Sequence, residues 1–508
     1  MTLRLVGELT NELVYDMAIV AKVCVRPIMR QVLDRETGTE ETIPIPCGST
    51  LESVCPPCAH KARALRIQQC AEGWHLTDDP YQPTEPEAVG PNQDHQDEPG
   101  EASERRVRST RRRQDVADLP RVDPDQRTIG RTFTSPAGKV YRPSMFLTLT
   151  LPSYGPIREG QGVPASPSTY DYRRAAMDAL LFPKLVDRFW QNLRRCAGYK
   201  VQYFACVEPQ QRLAPHLHTA IRGAIPRQLL RQVIRATYVQ VWWPQCDRPV
   251  FVHRIPVWDG SDYADPDTGE LLPTWDQALD ALADDPDARP AHVMRFGTQT
   301  DIRGIIAPSE EADRAIRYLT KYLTKAIAEP LATATDTISR RRQVHIDRMH
   351  AELRWLPCSE HCANWLRYGI QPKDAGPGLQ PGHCDSKAHD REHLGVGGRR
   401  VLVSQHWTGK TLADHKADRA TVVRETLHAA GIVPPEVERL SADVKAPDGL
   451  PRYVWTDTRP QTPGEYRKII FAAILQRRAW LDQYETAKTT IAEPVENHSA
   501  TGHEDRGP

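Results

Sequence analysis

Nowhere in this 508-residue chain do eighteen apolar residues run together, which excludes a helix able to cross a bilayer. The opening MTLRLVGELTNELVYD carries charges where a secretion signal needs its apolar centre. A soluble, cytoplasmic protein with no membrane partner is therefore expected. Net charge is also lacking: 66 basic residues cancel 66 acidic ones, a balance that leaves room for separated patches of either sign. Phenylalanine is scarce at 8 while proline reaches 43, so substantial stretches should be irregular or unfolded. A nucleotide-binding loop is missing as well. Thr408 to Thr411 read TGKT, but Ser404 stands where a P-loop needs glycine. Lys410, Arg399 and Arg400 then contact phosphate or form plain surface, two readings that stay open.

What is present is clustered. The length implies two or three domains with linkers. Eleven cysteines in a reducing compartment point to metal sites before disulfides. Cys47, Cys55 and Cys58 hold a C-x2-C knuckle of zinc-ribbon type. Its fourth ligand is taken as Cys24, ahead of His60, which is too near Cys58 for a relaxed loop, and Cys70, which sits in a helix-like run. Cys358, Cys362, Cys384 and His389 make a second four-ligand set, with His361, His383 and His393 as alternates. Between these clusters, residues 77–104 hold nine Asp or Glu and no Lys or Arg, the composition of a disordered linker. The sign then flips to six arginines in ten positions: Arg105, Arg106, Arg108, Arg111, Arg112 and Arg113. They either neutralise the acidic run as a solvated tail or form an arm that contacts DNA phosphates.

Regular structure resumes at KVYRPSMFLTLTLPSYG, where Phe146, Thr148 and Thr150 alternate with leucines as in a strand. Helices are expected near Tyr172 to Arg195 and Arg227 to Trp243, and a further strand of the same sheet in HVMRFGTQTDIR. Between the helices, YKVQYFACVEP and APHLHTAIRG read as a hairpin. His216 and His218 flank one leucine, so a strand aims both imidazoles at one face. The hairpin brings Glu208 beside His216, which completes a three-ligand set for a divalent ion. PSEEADRAIRYLTKYLTKAIAEP is the clearest helix. Ser309 caps it, Glu310 and Glu311 complement its positive end, Lys321 and Lys325 lie toward its negative end, and Pro330 helps stop it. Ile316, Leu319, Leu323 and Ile327 form its buried stripe, and Tyr318 and Tyr322 share another face.

In this order, the FLTLT strand, the H-x-H strand and YLTKYLTK resemble the three motifs of the HUH endonuclease superfamily, specifically its two-tyrosine rolling-circle replication initiators. The resemblance implies that Tyr318 and Tyr322 are nucleophiles: one cleaves at initiation and the other can take the displaced strand when the circle closes. The chemistry is consistent. A tyrosine oxygen can break a phosphodiester and conserve its energy as a phosphotyrosine ester. With a pKa near 10, only about a thousandth of a phenol is ionised at pH 7, a deficit of roughly 4 kcal/mol. A divalent ion on His216, His218 and Glu208 can offset developing charge, and Lys321 can favour phenolate or stabilise the same charge. Two imidazoles and a carboxylate suit Mn²⁺, and Mg²⁺ less comfortably.

The cysteine clusters, with CANWLRYGIQP, LGVGGRRVLVSQHWTGKTLADHKADR and RFGTQTDI, are similar to the replication initiator family of actinobacterial plasmids and integrative elements. The expected fold is α+β, a central antiparallel sheet with flanking helices, of HUH endonuclease type, plus small zinc modules. The expected segments are a zinc-ribbon-like module over 1–75, a disordered linker over 76–130, the nicking domain over 131–335, a zinc-containing DNA-binding region over 336–485 and a disordered tail over 486–508. The expected function is plasmid rolling-circle initiation: nicking and rejoining of single-stranded origin DNA through a 5′-phosphotyrosine. Duplex origin DNA and a host helicase and polymerase are the implied partners, Mn²⁺ or Mg²⁺ the catalytic ion, and Zn²⁺ the structural one. A conjugative relaxase of the same chemistry and a non-catalytic zinc-dependent DNA-binding regulator are the alternatives. A regulator survives loss of both tyrosines.

Overall fold

The computed structural model describes residues 9–76, 119, 132–321, 323–324, 336–397, 400–431, 444–458 and 462–492. The acidic linker and all six arginines from Arg105 to Arg113 lie outside the described residues, as do Tyr322, Lys325, Ile327 and Arg399. The chain divides into two compact units, residues 67–409 and residues 1–66 with 410–508.

The larger unit is α+β. Its main sheet contains β1 (Val140–Leu149), β2 (Tyr203–Pro209), β3 (Pro215–Arg222), β4 (Thr300–Ala307) and β5 (Val401–Val403). Their order is β4-β1-β3-β2-β5, and every neighbouring pair is antiparallel. Both faces are covered, so β3 is buried along its whole length. On one face lies α1 (Tyr172–Ala197), started by the Asp171 carboxylate, which accepts from Arg174 N–H, and stopped by Gly198 at φ 68°, a conformation open to glycine at little cost. Leu181, Leu185, Phe189 and Leu193 on α1 share a core with Leu147, Leu149 and Leu217 of the sheet. The helices α2 (Arg227–Ala236) and α4 (Asp336–Leu353) extend this layer through Leu230, Val233, Ile346, Met349 and Leu353.

The opposite face is covered by α3 (Glu310–Thr320). Ser309 Oγ accepts from Ala312 N–H at 3.2 Å, and Ile316, Leu319 and Leu323 pack with Phe146, Phe204 and Ala220 as the apolar stripe requires. The α-helix stops at Thr320, sooner than the sequence pattern suggests. Lys321 N–H then donates to Tyr318 O, at 3.2 Å, in a tighter turn. Trp74 and Trp407 fill the rest of this face, with the buried Arg222 guanidinium 5.1 Å from the Trp407 ring centre.

In this unit two further sequence readings need correction. The helix expected to reach Trp243 ends at Ala236, because Tyr238–Val241 is an alternating, β-branched run that forms a strand. That strand pairs with His292–Arg295 in a separate two-stranded sheet. HVMRFGTQTDIR is accordingly two strands, and only its second half enters the main sheet, as β4.

In the smaller unit, Ile28–Asp34 is the centre of a three-stranded antiparallel sheet, flanked by Glu40–Ile45 and Tyr453–Asp457. The helices Asn11–Val20 and Pro463–Ala492 share a core through Val14, Ala18, Ile470 and Ile474. Arg452 holds Asp34 at 2.9 Å and Glu36 at 3.1 Å, and this guanidinium keeps the Asp34 carboxyl well below the usual carboxylate range. The last helix continues past Glu485, where a disordered tail was expected, and Ala487 on that extension is buried. Among the described residues, no helix is long and apolar enough to cross a membrane.

Candidate active site and metal centres

The hairpin register sets Glu208 opposite His216 and Cys206 opposite His218, and the neighbouring strand sets Thr148 opposite His218. Paired residues point to the same face, so three strands deliver their polar side chains to one spot. His216 Nε2 and His218 Nε2 lie 2.6 Å apart, and a Glu208 oxygen stands 3.3 Å from His218 Nε2 and 3.9 Å from His216 Nε2. All three donor atoms fall within 4.8 Å of one another, a grouping that could hold a metal ion. Burial, then the neighbouring His218, pushes the His216 pKa down to about 3, which keeps the ring neutral as ligation requires.

Thr148 Oγ1 lies 3.0 Å from His218 Nδ1. A hydrogen bond from Nδ1–H to that hydroxyl leaves the Nε2 lone pair facing Glu208 and His216, the orienting role that second partners of ligand histidines commonly play. Phe146 lies 6.0 Å from the His218 ring centre on one side and meets Tyr318 edge-on at 6.2 Å. Neither Phe146 nor Thr148 was singled out as a site residue on sequence. The signal was nonetheless there, because FLTLT places residues 146 and 148 on one face, two strand positions apart.

Tyr318 comes to this spot from α3. Its hydroxyl is 3.3 Å from His218 Nε2, while 44% of the residue remains exposed. Lys321 follows one turn later, at the helix end. Its neighbour Tyr322, and Lys325, fall outside the described residues. Arg400 is not a surface group: it is buried, its carbonyl accepts from Val207 N–H at 2.8 Å, and burial lowers its pKa. Lys410 is exposed and pairs with Asp418 at 2.9 Å.

Two further groups have four donors each. Cys24, Cys47, Cys55 and Cys58 converge, with Cys55 Sγ 3.8 Å from Cys24 Sγ and Cys47 N–H directed at Cys24 Sγ from 3.3 Å. Neither rejected candidate joins them, since His60 is exposed and Cys70 belongs to the core around Trp407. In the larger unit Cys358, Cys362, Cys384 and His389 converge. Cys358 Sγ is 3.9 Å from Cys384 Sγ, and Cys362 Sγ is 3.5 Å from His389 Nε2. His389 Nδ1–H donates to Leu353 O at 2.7 Å, which turns Nε2 toward the sulfurs. His361 instead points at Lys373 O, 3.0 Å from its Nδ1, and lies outside the cluster with His383 and His393. All eleven cysteines are free of disulfides. Thiolate and imidazole donors in groups of four fit a tetrahedral ion of the zinc kind.

Comparison with known proteins follows the same direction. The family model described as replication initiator protein, pSAM2, matches residues 12–474. A replication initiator protein of Streptomyces ambofaciens is 27% identical over 237 residues, a match covering 39% of this chain and 45% of that protein. The chain thus spans less than half the length of that curated relative. No solved structure matches the chain.

Proposed function

Since the chain belongs to the pSAM2 replication initiator protein family, we propose that it starts rolling-circle replication by nicking and rejoining single-stranded DNA at an origin, with Tyr318 as a nucleophile. The observation that carries this reading is the Tyr318 hydroxyl 3.3 Å from His218 Nε2, at the edge of the Glu208–His216–His218 group. The antiparallel sheet that carries an H-x-H strand beneath a tyrosine helix supports assignment to the HUH class of endonucleases.

In this mechanism the Tyr318 oxygen attacks the scissile phosphorus and forms an O–P bond to the 5′ phosphate as the bond from phosphorus to the 3′ oxygen breaks, and that oxygen takes a proton from solvent to leave a 3′ hydroxyl for a host polymerase to extend. The phenolic proton leaves to solvent, on which Tyr318 opens. Glu208, His216 and His218 would hold a divalent ion, Mn²⁺ or Mg²⁺, that polarises the phosphate and offsets charge in the pentavalent state. Thr148 keeps His218 Nε2 turned toward Glu208 and His216, and the Phe146 ring supports both His218 and Tyr318. Lys321 supplies a positive charge one turn from Tyr318. Rejoining reverses these steps, with a 3′ hydroxyl attacking the phosphotyrosine. Tyr322 is assigned the second transfer, Zn²⁺ fills the two four-donor clusters as a structural ion, and a host helicase opens the duplex origin.

The test is direct. The purified protein is incubated with Mn²⁺ and labelled single strands from its own replication region, then denatured and resolved by size. Label should comigrate with protein, and the adduct should vanish in the Tyr318→Phe, Tyr322→Phe double variant and on chelation. Duplex binding without any adduct would overturn the nicking mechanism and favour a DNA-binding regulator.

A further inference from the structure

Beside the Cys24 cluster, the smaller unit carries an open cavity of about 280 Å³ that the nicking mechanism leaves unused. Its walls include Pro27, Pro44, Pro46 and Ile470, and Trp480 stands at its edge, 40% exposed. Three cations, Lys22, Lys61 and Arg477, complete the lining, and none of the described residues that line it is acidic. In a chain of zero net charge, that local excess is a patch of one sign with an aromatic ring inside it. Two details set these cations apart. Lys22 ends the first helix in the left-handed region, at φ 56°, where glycine or asparagine is easier, so the position carries a lysine in spite of backbone preference. Arg477 Nε is shielded from solvent and has no hydrogen-bond acceptor among the described residues.

We propose that this cavity binds single-stranded DNA, with one base stacked on Trp480 between the proline walls and the flanking phosphates paired with Lys22, Lys61 and Arg477. Its volume lies just below the usual range for small-molecule sites, about 300 to 1,000 Å³, and suits one flat ring better than a peptide helix. An aromatic platform with cations on either side is the common design of sequence-tolerant single-strand binders. The cavity belongs to the smaller unit and the tyrosine site to the larger, so the two can be tested separately. The inference rests on the reading that the chain handles single-stranded origin DNA, and gives it a second foothold.

The experiment measures binding of fluorescein-labelled dT15 to the full chain by anisotropy, over a series of salt concentrations. Trp480→Ala should weaken binding by roughly 5- to 100-fold, and Trp480→Phe should restore most of it. The Lys22→Gln, Lys61→Gln, Arg477→Gln triple variant should flatten the slope of log affinity against log salt by about 2, the value for three single-strand phosphates. Unchanged affinity in Trp480→Ala with an unchanged slope in the triple variant overturns the proposal, and so does a loss confined to duplex DNA. The outcomes separate it from the nicking mechanism. An adduct formed by the wild type, while Trp480→Ala and the triple variant both bind dT15 as the wild type does, removes this site alone. No adduct, with Trp480→Ala still impaired on dT15, removes the nicking mechanism alone. These substitutions lie on the rim, and an unchanged melting temperature identifies each variant as folded.

Discussion

Two kinds of candidate metal-binding group among the described residues are built to opposite plans. The cysteine clusters bring four donors together, whereas Glu208, His216 and His218 bring three, with the half-exposed Tyr318 hydroxyl 3.3 Å from His218 Nε2. Closed four-donor sites serve structure, while sites with an open position serve chemistry. The supports differ accordingly. Both cysteine clusters collect their ligands from segments distant in sequence, Cys24 with Cys58 and Cys358 with His389, so an ion there would cross-link those segments. The three-donor group sits on adjacent strands whose backbone hydrogen bonds already hold it in place. Metal removal should therefore unfold around the first kind and merely silence the second.

The largest effect should come from breaking a closed cluster. Cys55→Ser and Cys358→Ser should each release one equivalent of zinc, counted by elemental analysis, and destroy cooperative melting of the unit that holds it. Structural zinc binds small domains with about 10 to 16 kcal/mol, comparable to the whole stability of a domain. Mild chelation that strips only the three-donor group should leave the melting curve unchanged, and an equal loss of stability there would erase the distinction. A smaller effect is expected at Thr148. Replacing it with valine keeps shape but removes the oxygen beside His218 Nδ1, so Mn²⁺ affinity should fall about 10- to 100-fold, with adduct formation following the metal. Isothermal titration that finds wild-type affinity in Thr148→Val would show that strand packing alone orients the ring.

This contrast also explains what could be read before the structure was known. Local patterns announced themselves: the H-x-H spacing, the hairpin that pairs Glu208 with His216, the Ser309 cap and the stripe of Ile316, Leu319 and Leu323 all depend on residues close in sequence. The approach of Tyr318 to His218 spans a hundred positions, and the resemblance of YLTKYLTK to a known motif, rather than any periodicity, suggested it. Three things depend on pairing between segments distant in sequence. Helix propensity carried the reading of residues 227–243 past Ala236, since the pairing of Tyr238–Val241 with His292–Arg295 is a tertiary choice. Arg400 reads as a surface cation until β5 takes its place beside β2 and buries it. Likewise, nothing near Ile28–Asp34 indicates that its second sheet partner is Tyr453–Asp457, more than four hundred residues on.

The smallest effect is the sharpest check on ligand choice. Sequence left His361 as an alternate to His389, only three residues from Cys358 and next to Cys362. The structure separates them by hydrogen bonding: His389 gives its Nδ1–H to the Leu353 carbonyl and presents Nε2 to Cys362, whereas His361 spends Nδ1 on the Lys373 carbonyl and stands among Glu360 and Asp374 at the surface. An exposed group with carboxylate neighbours contributes little, and surface substitutions away from special features stay within about 0.5 kcal/mol. His361→Ala should therefore keep both zinc equivalents, melt with the wild type and nick normally. Loss of one zinc in that variant would mean that His361 is a ligand, and would convert the cluster from a closed structural site into one whose fourth donor sits at the surface and can exchange.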